Sequence, residues 1–237
     1  MRFFSFIPGA KDKKLWIAIP RFYRIFVFNM KKAILFAGLA ASALLLFAAC
    51  NGTVSPSSGA PTLDELYASR RSVRSYDASK TISEEEVRTL MAATQQSPTW
   101  ANTQTTRYYV AISPEKVAAA KQLVGERNAA NIAGAPVVLV STFVKGQSGF
   151  GRGTAVNEIG DGWGAYDNGL SNAYLILKAR EMGFDTLIMG FRQSDGLRAL
   201  FGIPDNEEVM AVIALGYRAG EPGQPNHKSL DEVVKFF

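Results

Sequence analysis

Val137-Val-Leu-Val-Ser-Thr-Phe143 is a run of apolar and β-branched side chains with no polar alternation. A strand with one wet face alternates, so a run of this kind predicts a strand covered on both faces. Val209–Gly216 repeats the pattern, and Arg107–Ile112 and Thr186–Met189 read as shorter strands. Helices fill the intervals. Thr62-Leu-Asp-Glu65 and Ser83-Glu-Glu-Glu86 are capping boxes, a hydroxyl at the N-cap answered by Glu at N3. The first opens a short helix ending near Ser69. The second opens a helix with Val87, Leu90 and Met91 on one face, stopped by Ser97-Pro98. Ser113-Pro114 starts a helix running to about Val124, and Ser194 caps one ending at Phe201-Gly-Ile-Pro204. A longer helix is expected from about Tyr166 to Met182, with Leu170, Ala173, Tyr174 and Leu177 inward and Gly183 at C′. The glycine-dense interval 145–165 reads as loop. One sheet buried by helices is α+β or mixed α/β.

Charge and composition narrow the function. The chain has 237 residues and a net charge of +5, which raises the question of a polyanionic partner. Residues 1–49 hold eight of the 26 basic side chains and one acid, Asp12, leaving 18 basic and 20 acidic groups beyond them, a net of −2. The basic character belongs to the leader, and no nucleic-acid partner is expected. One Cys and one His exclude a Cys-ligated zinc site, an iron–sulfur cluster and a multi-histidine metal site.

The leader has its own logic. Met30-Lys31-Lys32 precedes a 15-residue apolar run, Ala33–Phe47, and then Ala48-Ala49-Cys50. A basic head, a short apolar run and small residues before a cut site describe a secretory signal. Phe47-Ala-Ala-Cys50 resembles a bacterial lipobox, making Cys50 the expected lipidation site and the chain an exported, membrane-anchored lipoprotein. Residues 1–29 are read as lying upstream of a true start at Met30. The organisation expected is a leader over 1–49 (signal peptide 30–49), a Ser/Pro/Gly tether over 50–62, and a domain over 63–237.

Generic catalytic motifs fail. Gly151-Arg-Gly153-Thr-Ala-Val156 lacks the third glycine of a dinucleotide fingerprint and sits away from a strand end. A nucleophile elbow is absent, and a Ser-His-Asp triad would need His227 in the tail. Acids at Asp64-Glu65, Glu84–Glu86 and Glu207-Glu208 are read as sitting in or before helix first turns. One constellation stands out: Arg70-Arg71-Ser72-Val73-Arg74. In extended chain, 70, 72 and 74 face one side, so two guanidiniums and a hydroxyl can converge, which suits a terminal phosphate; taken alone, the same residues read as a solvated basic stripe.

With that segment the chain resembles the FMN-dependent nitroreductase family. The resemblance rests on Arg70-Arg-Ser-Val-Arg-Ser-Tyr76, Ile82–Val87, Ser97-Pro-Thr-Trp-Ala-Asn102-Thr-Gln104 and Ala135–Val140. It continues through Asp167–Asn172, Gly183-Phe-Asp185, Phe201–Pro204 and Val212–Tyr217. It implies an α+β sandwich, a central mostly antiparallel sheet flanked by helices, forming a homodimer with FMN at the interface. Carried over, Arg70, Ser72 and Arg74, with Arg71, hold the flavin phosphate and ribityl chain. Pro98, Thr99, Trp100 and Asn102 reach the flavin from the partner subunit. The Met189-Gly190 backbone faces flavin N5, and Asn128 faces the ring edge. His227, with Lys228 beside it, stands where an Arg near the phosphate is usual; Asn131 replaces a Lys beside the pyrimidine.

The implied activity is ping-pong oxidoreduction. NAD(P)H reduces FMN, and an electron-poor small-molecule acceptor such as a nitroaromatic or quinone reoxidises it. No side chain serves as a covalent catalyst in that scheme. The 145–165 loop, with Phe150 and Trp163, is either the mobile wall of the acceptor pocket or an ordinary surface loop. Because NAD(P)H is scarce outside the cytoplasm, the alternative is a membrane-anchored lipoprotein that binds flavin or another small molecule without turnover.

Overall fold

The structure is a computed structural model describing residues 59–237; the expectations for the leader, Cys50 and most of the tether lie outside those residues. The chain runs α1 (Leu63–Ser69), α2 (Glu84–Thr94), a single 3₁₀ turn (Trp100–Asn102), β1 (Thr106–Ala111), α3 (Pro114–Lys121) and α4 (Glu126–Asn131). It continues with β2 (Val137–Val144), the short β3 (Phe150–Gly151) and β4 (Thr154–Ala155), α5 (Gly162–Glu181), β5 (Asp185–Met189), α6 (Ser194–Phe201), β6 (Glu207–Gly216) and α7 (Leu230–Val233).

The main sheet has the order β1-β2-β6-β5, and each neighbouring pair is antiparallel. Every residue of β2 is buried, as the unbroken apolar run predicts. Alternation along the central strands feeds two cores. Val138, Val140, Val212 and Ala214 join Val117, Val124 and Leu197 beneath α3, the α3–α4 link and α6. Val137, Leu139, Ile213 and Leu215 join Val87, Leu90, Leu175 and Ala179 beneath α2 and α5. Both expected capping boxes are present, at Thr62/Glu65 and Ser83/Glu86.

Five readings need correction. Glu207 and Glu208 open β6 rather than a helix, and the buried Glu207 carboxylate accepts from the Tyr109 hydroxyl at 3.0 Å. The 145–165 interval is not all loop: it carries the β3–β4 hairpin, and α5 begins at Gly162, because three spaced glycines hide a helix start from periodicity. Ser194 is the first residue of α6 rather than its cap, and Gln193 holds the cap position without a side-chain bond. The short helix α4 was not anticipated, since ERNAAN has no apolar stripe. Most informative is the inner face of α5. Asp167, Asn168, Ser171, Asn172, Leu175 and Ala179 are buried, whereas Tyr174 is exposed and Leu170, Ala173 and Leu177 only half-buried.

Hydrophobic periodicity names the wrong face because the sheet beneath α5 offers polar partners. Asn168 Nδ2 donates to the Thr142 carbonyl at 3.0 Å, and Asn172 Nδ2 donates to Asn168 Oδ1 at 2.9 Å. The Tyr108 hydroxyl lies 2.9 Å from both Ser171 Oγ and Asn172 Oδ1. Buried polar groups are tolerated when each finds such a partner. The apolar stripe of α5 is left on the outside of this chain.

Candidate functional site: an arginine pocket on the edge of the sheet

α1 stops because Arg70 turns extended (φ −66, ψ 132). The chain then runs beside β5: Ser72 forms a parallel bridge to Thr186, and Val73 N–H donates to the Thr186 carbonyl at 3.0 Å. Strand alternation sends Val73 into the core and leaves Arg74 outside. The chain beyond β6 returns alongside, with Ala219 N–H donating to the Ser75 carbonyl at 3.0 Å. This return supplies Gln224 and His227 as the opposite wall. The result is a pocket of about 370 Å³ lined by Arg70, Arg71, Ser72, Arg74, Gln224 and His227.

Charge is the pocket's defining property. Among the described residues, none of Arg70, Arg71 and Arg74 has a carboxylate within salt-bridge distance. Three neighbouring guanidiniums without counter-charge repel one another, and a bound phosphate reverses that sign. Their donors are not equally free. Arg71 donates to the Arg70 carbonyl at 2.7 Å and to Gln224 Oε1 at 2.9 Å, so it braces the pocket wall. Among the described residues Arg74 donates only to the Ser72 carbonyl, at 3.2 Å.

The pocket is anchored by a pair to which the sequence motifs assign no role, although Asp185 closes the Gly183-Phe-Asp185 motif. Asp185, at the start of β5, receives Arg218 Nε at 2.7 Å and Nη2 at 2.6 Å, a forked pair. The same Nη2 donates to the Ser69 carbonyl at 3.2 Å, fixing the chain just before Arg70. Arg180 stands 3.6 Å from Asp185 and donates to Ser69 Oγ. The hydrogen bonds that Arg218 donates to Asp185 hold the Arg218 pKa above its usual value. In sequence these residues merely flank two strands; only β5–β6 pairing puts them together. Tyr76, buried beside this group with no hydrogen-bond partner for its hydroxyl among the described residues, has its pKa raised by burial and then by Asp185.

From Thr186, β5 leads to Met189 over three residues, about 10 Å along the same edge. Met189 is buried, and Gly190 is exposed with open space where a side chain would stand. Phe191 then lies on Gly125, where a Cβ would meet its ring at 2.7 Å, and Gln193 N–H donates to the Leu123 carbonyl. These contacts bring Met189-Gly190 beside α4, which carries Asn128 and Asn131. Asn128 Nδ2 donates to the Val124 carbonyl at 3.1 Å, so its amide oxygen is the group left for another partner.

Pro98, Thr99, Trp100 and Asn102 do not join the arginine pocket of their own chain. Thr99 lines a separate cavity of about 390 Å³ with Met91, Gln95, Gln104 and Tyr108. The turn is left-handed at three non-glycine residues: Ala101 (φ 43), Asn102 (φ 57) and Gln104 (φ 51). Each such residue costs about 1–2 kcal/mol, less for Asn, so the surroundings must impose the shape. Trp100 N–H is held by the buried Asp167 carboxylate. Its indole meets that of Trp163 at 4.8 Å, and Trp163 meets Tyr166 at 5.8 Å. Gly149 (φ 82) admits this cluster, since a Cβ there would stand 2.5 Å from Trp163.

Comparison with known proteins fits this architecture. The model of the nitroreductase family matches residues 67–217. The FMN complex of a nitroreductase-like protein from Exiguobacterium sibiricum superposes with a TM-score of 0.68 at 19% identity, covering 75% of this chain and 98% of that one. CLA-ER, an enone reductase of gut-bacterial fatty acid saturation, gives 0.66 at 20% identity, covering 73% and 97%. A nitroreductase family protein of Streptococcus pneumoniae gives 0.65 at 17% identity, covering 74% and 100%. The fold is the expected α+β sandwich, an antiparallel sheet between helices, and the chain belongs to the nitroreductase family.

Proposed function

We propose that this protein is a flavin-dependent oxidoreductase that takes FMN by its phosphate in the arginine pocket. The observation that carries the reading is the set of three guanidiniums that no carboxylate of the described residues pairs, sharing one strand edge with the open Gly190 backbone. Arg70, Ser72 and Arg74 hold the phosphate, Arg71 braces Gln224, and His227 faces the phosphate from the C-terminal side. Met189-Gly190 and Asn128 stand where the ring system would lie. Because the Thr99–Gln104 turn lies outside its own chain's pocket, the turn of a partner subunit covers the ring in a homodimer. The half-exposed Leu170, Tyr174 and Leu177 face of α5 supports that assembly.

Bound FMN supplies two-electron transfer from NAD(P)H to an electron-poor acceptor such as a nitroaromatic or quinone, in a ping-pong cycle. The chain supplies orientation and water exclusion. Asn131, which carries no charge, leaves negative charge on the pyrimidine less stabilised than a lysine would. The leader reading adds an address: a signal peptide ending at Ala49 and a lipid on Cys50, holding the domain at a membrane surface. It is supported by the sequence pattern alone.

The test is purification of the full chain. A yellow protein with flavin absorption, bleached by NADH or NADPH under anaerobic conditions, is the expected result. A colourless protein that cannot be reconstituted with FMN would sink the reading. A yellow protein that neither nucleotide bleaches would convert it to a flavin-binding lipoprotein without NAD(P)H turnover.

A further inference from the structure

Asp167 is 2% exposed, and among the described residues no cation lies within salt-bridge distance of it. A buried charge left unpaired is costly, so its hydrogen bonds must answer for it. Trp100 N–H points at both carboxylate oxygens, at 3.1 and 3.0 Å. Ser148 Oγ donates to Oδ2 at 2.6 Å and lies 2.8 Å from Thr103 Oγ1 and 3.1 Å from Thr105 Oγ1. One carboxylate on α5 therefore ties together the 145–149 loop, the 3₁₀ turn and the residue leading into β1. The partners are donors, which suits a group that only accepts; an amide would turn its NH₂ toward one of them.

The place of these bonds matters. They fix the chain at Trp100, immediately before the left-handed residues Ala101 and Asn102, and Gln104 N–H closes the turn on Thr99 Oγ1 at 3.0 Å. We propose that Asp167 is a positioning residue for the flavin site: it holds the Thr99–Gln104 turn in its left-handed form and thereby sets where Trp100 and Asn102 stand against the cofactor. This rests on the flavin reading above. Asp167 touches no reacting atom; it acts through the turn.

The experiment reads the turn without cofactor. The Trp100 and Trp163 indoles, 4.8 Å apart and tilted by 49°, are close enough to couple excitonically, so the apoprotein is expected to give a circular-dichroism couplet. Trp100→Phe identifies that signal by removing it. Asp167→Asn is expected to unfold cooperatively, lose the couplet and bind FMN about tenfold more weakly. Adding Ala101→Gly to that variant, which eases the left-handed backbone, is expected to restore the couplet and most of the affinity. A packing role for Asp167 predicts no such rescue.

Where Asp167→Asn does not fold, Ala101→Val carries the test. A β-branched side chain excludes φ near 43°, so couplet and affinity should fall with Asp167 intact. Couplet and FMN affinity unchanged in Asp167→Asn or in Ala101→Val, or absence of rescue by Ala101→Gly, overturns the proposal. Failure of the unmutated chain to bind FMN overturns the flavin reading and the cofactor half of this proposal. The apoprotein couplet then reads the Asp167–turn half by itself.

Discussion

The arginine pocket and the Thr99–Gln104 turn lie at different places in one chain and are built on opposite plans. In the pocket the chemistry is held in reserve: Arg70 and Arg74 keep donors that no carboxylate of the described residues takes up. In the turn almost nothing is in reserve. Its N–H groups and hydroxyls are engaged with Asp167, Ser148 and Thr99, and its backbone is strained. A site that binds by charge can be assembled from residues close in sequence. A site that acts by shape needs distant residues to hold the shape, and here Asp167 lies 67 positions beyond Trp100.

The largest expected effect falls on the anchor of the pocket. Arg218→Ala leaves the buried Asp185 with only Arg180 at 3.6 Å, and should cost about 3 kcal/mol. Thermal denaturation should show a fall in Tm of roughly 6–12 °C. A melting temperature unchanged by the substitution would break the contrast, since the pocket would then need no long-range support.

Alkaline pH probes the other side. Burial pushes the Tyr108 phenol up to about 12, only partly offset by its bond to Ser171. The folded state therefore keeps a proton that an unfolded chain gives up near pH 10, so stability is full below pH 10 and declines as pH rises toward 12. One such group contributes a loss of about 2–3 kcal/mol across that window. In urea denaturation from pH 9 to 11.5, Tyr108→Phe should flatten the decline. An equally steep slope in the variant would place the titrating group elsewhere.

The smallest effect separates two neighbouring arginines. Arg74→Ala, which removes a mostly unspent guanidinium, should weaken FMN about tenfold. Arg71→Ala should weaken it less, because Arg71 already serves Arg70 and Gln224. Equal dissociation constants for the two would count against the division between phosphate holder and brace.

Much of the fold was legible because its signals are local. The unbroken run at Val137–Phe143, the two capping boxes and the closing αL glycine Gly202 each specify their own segment. The pocket residues were legible for the same reason, four of them within five positions. The inner face of α5 was not, because Leu170, Ala173, Tyr174 and Leu177 mark an apolar stripe without saying what covers it. Asp167, though it opens a quoted motif, and Arg218 carry no legible role in the sequence, since an Asp or Arg shows its task only when its partner is known.

The amino-acid sequence by itself determined the doubly covered sheet and the cations at Arg70–Arg74, because hydrophobic continuity and charge density act over a few residues. Only the tertiary structure decided that Arg71 is a brace, that Arg218–Asp185 anchors the pocket, and that Asp167 holds a strained turn. Hydrogen bonds and ion pairs operate at 2.6–3.6 Å between groups dozens of positions apart, and only folding puts them at that distance.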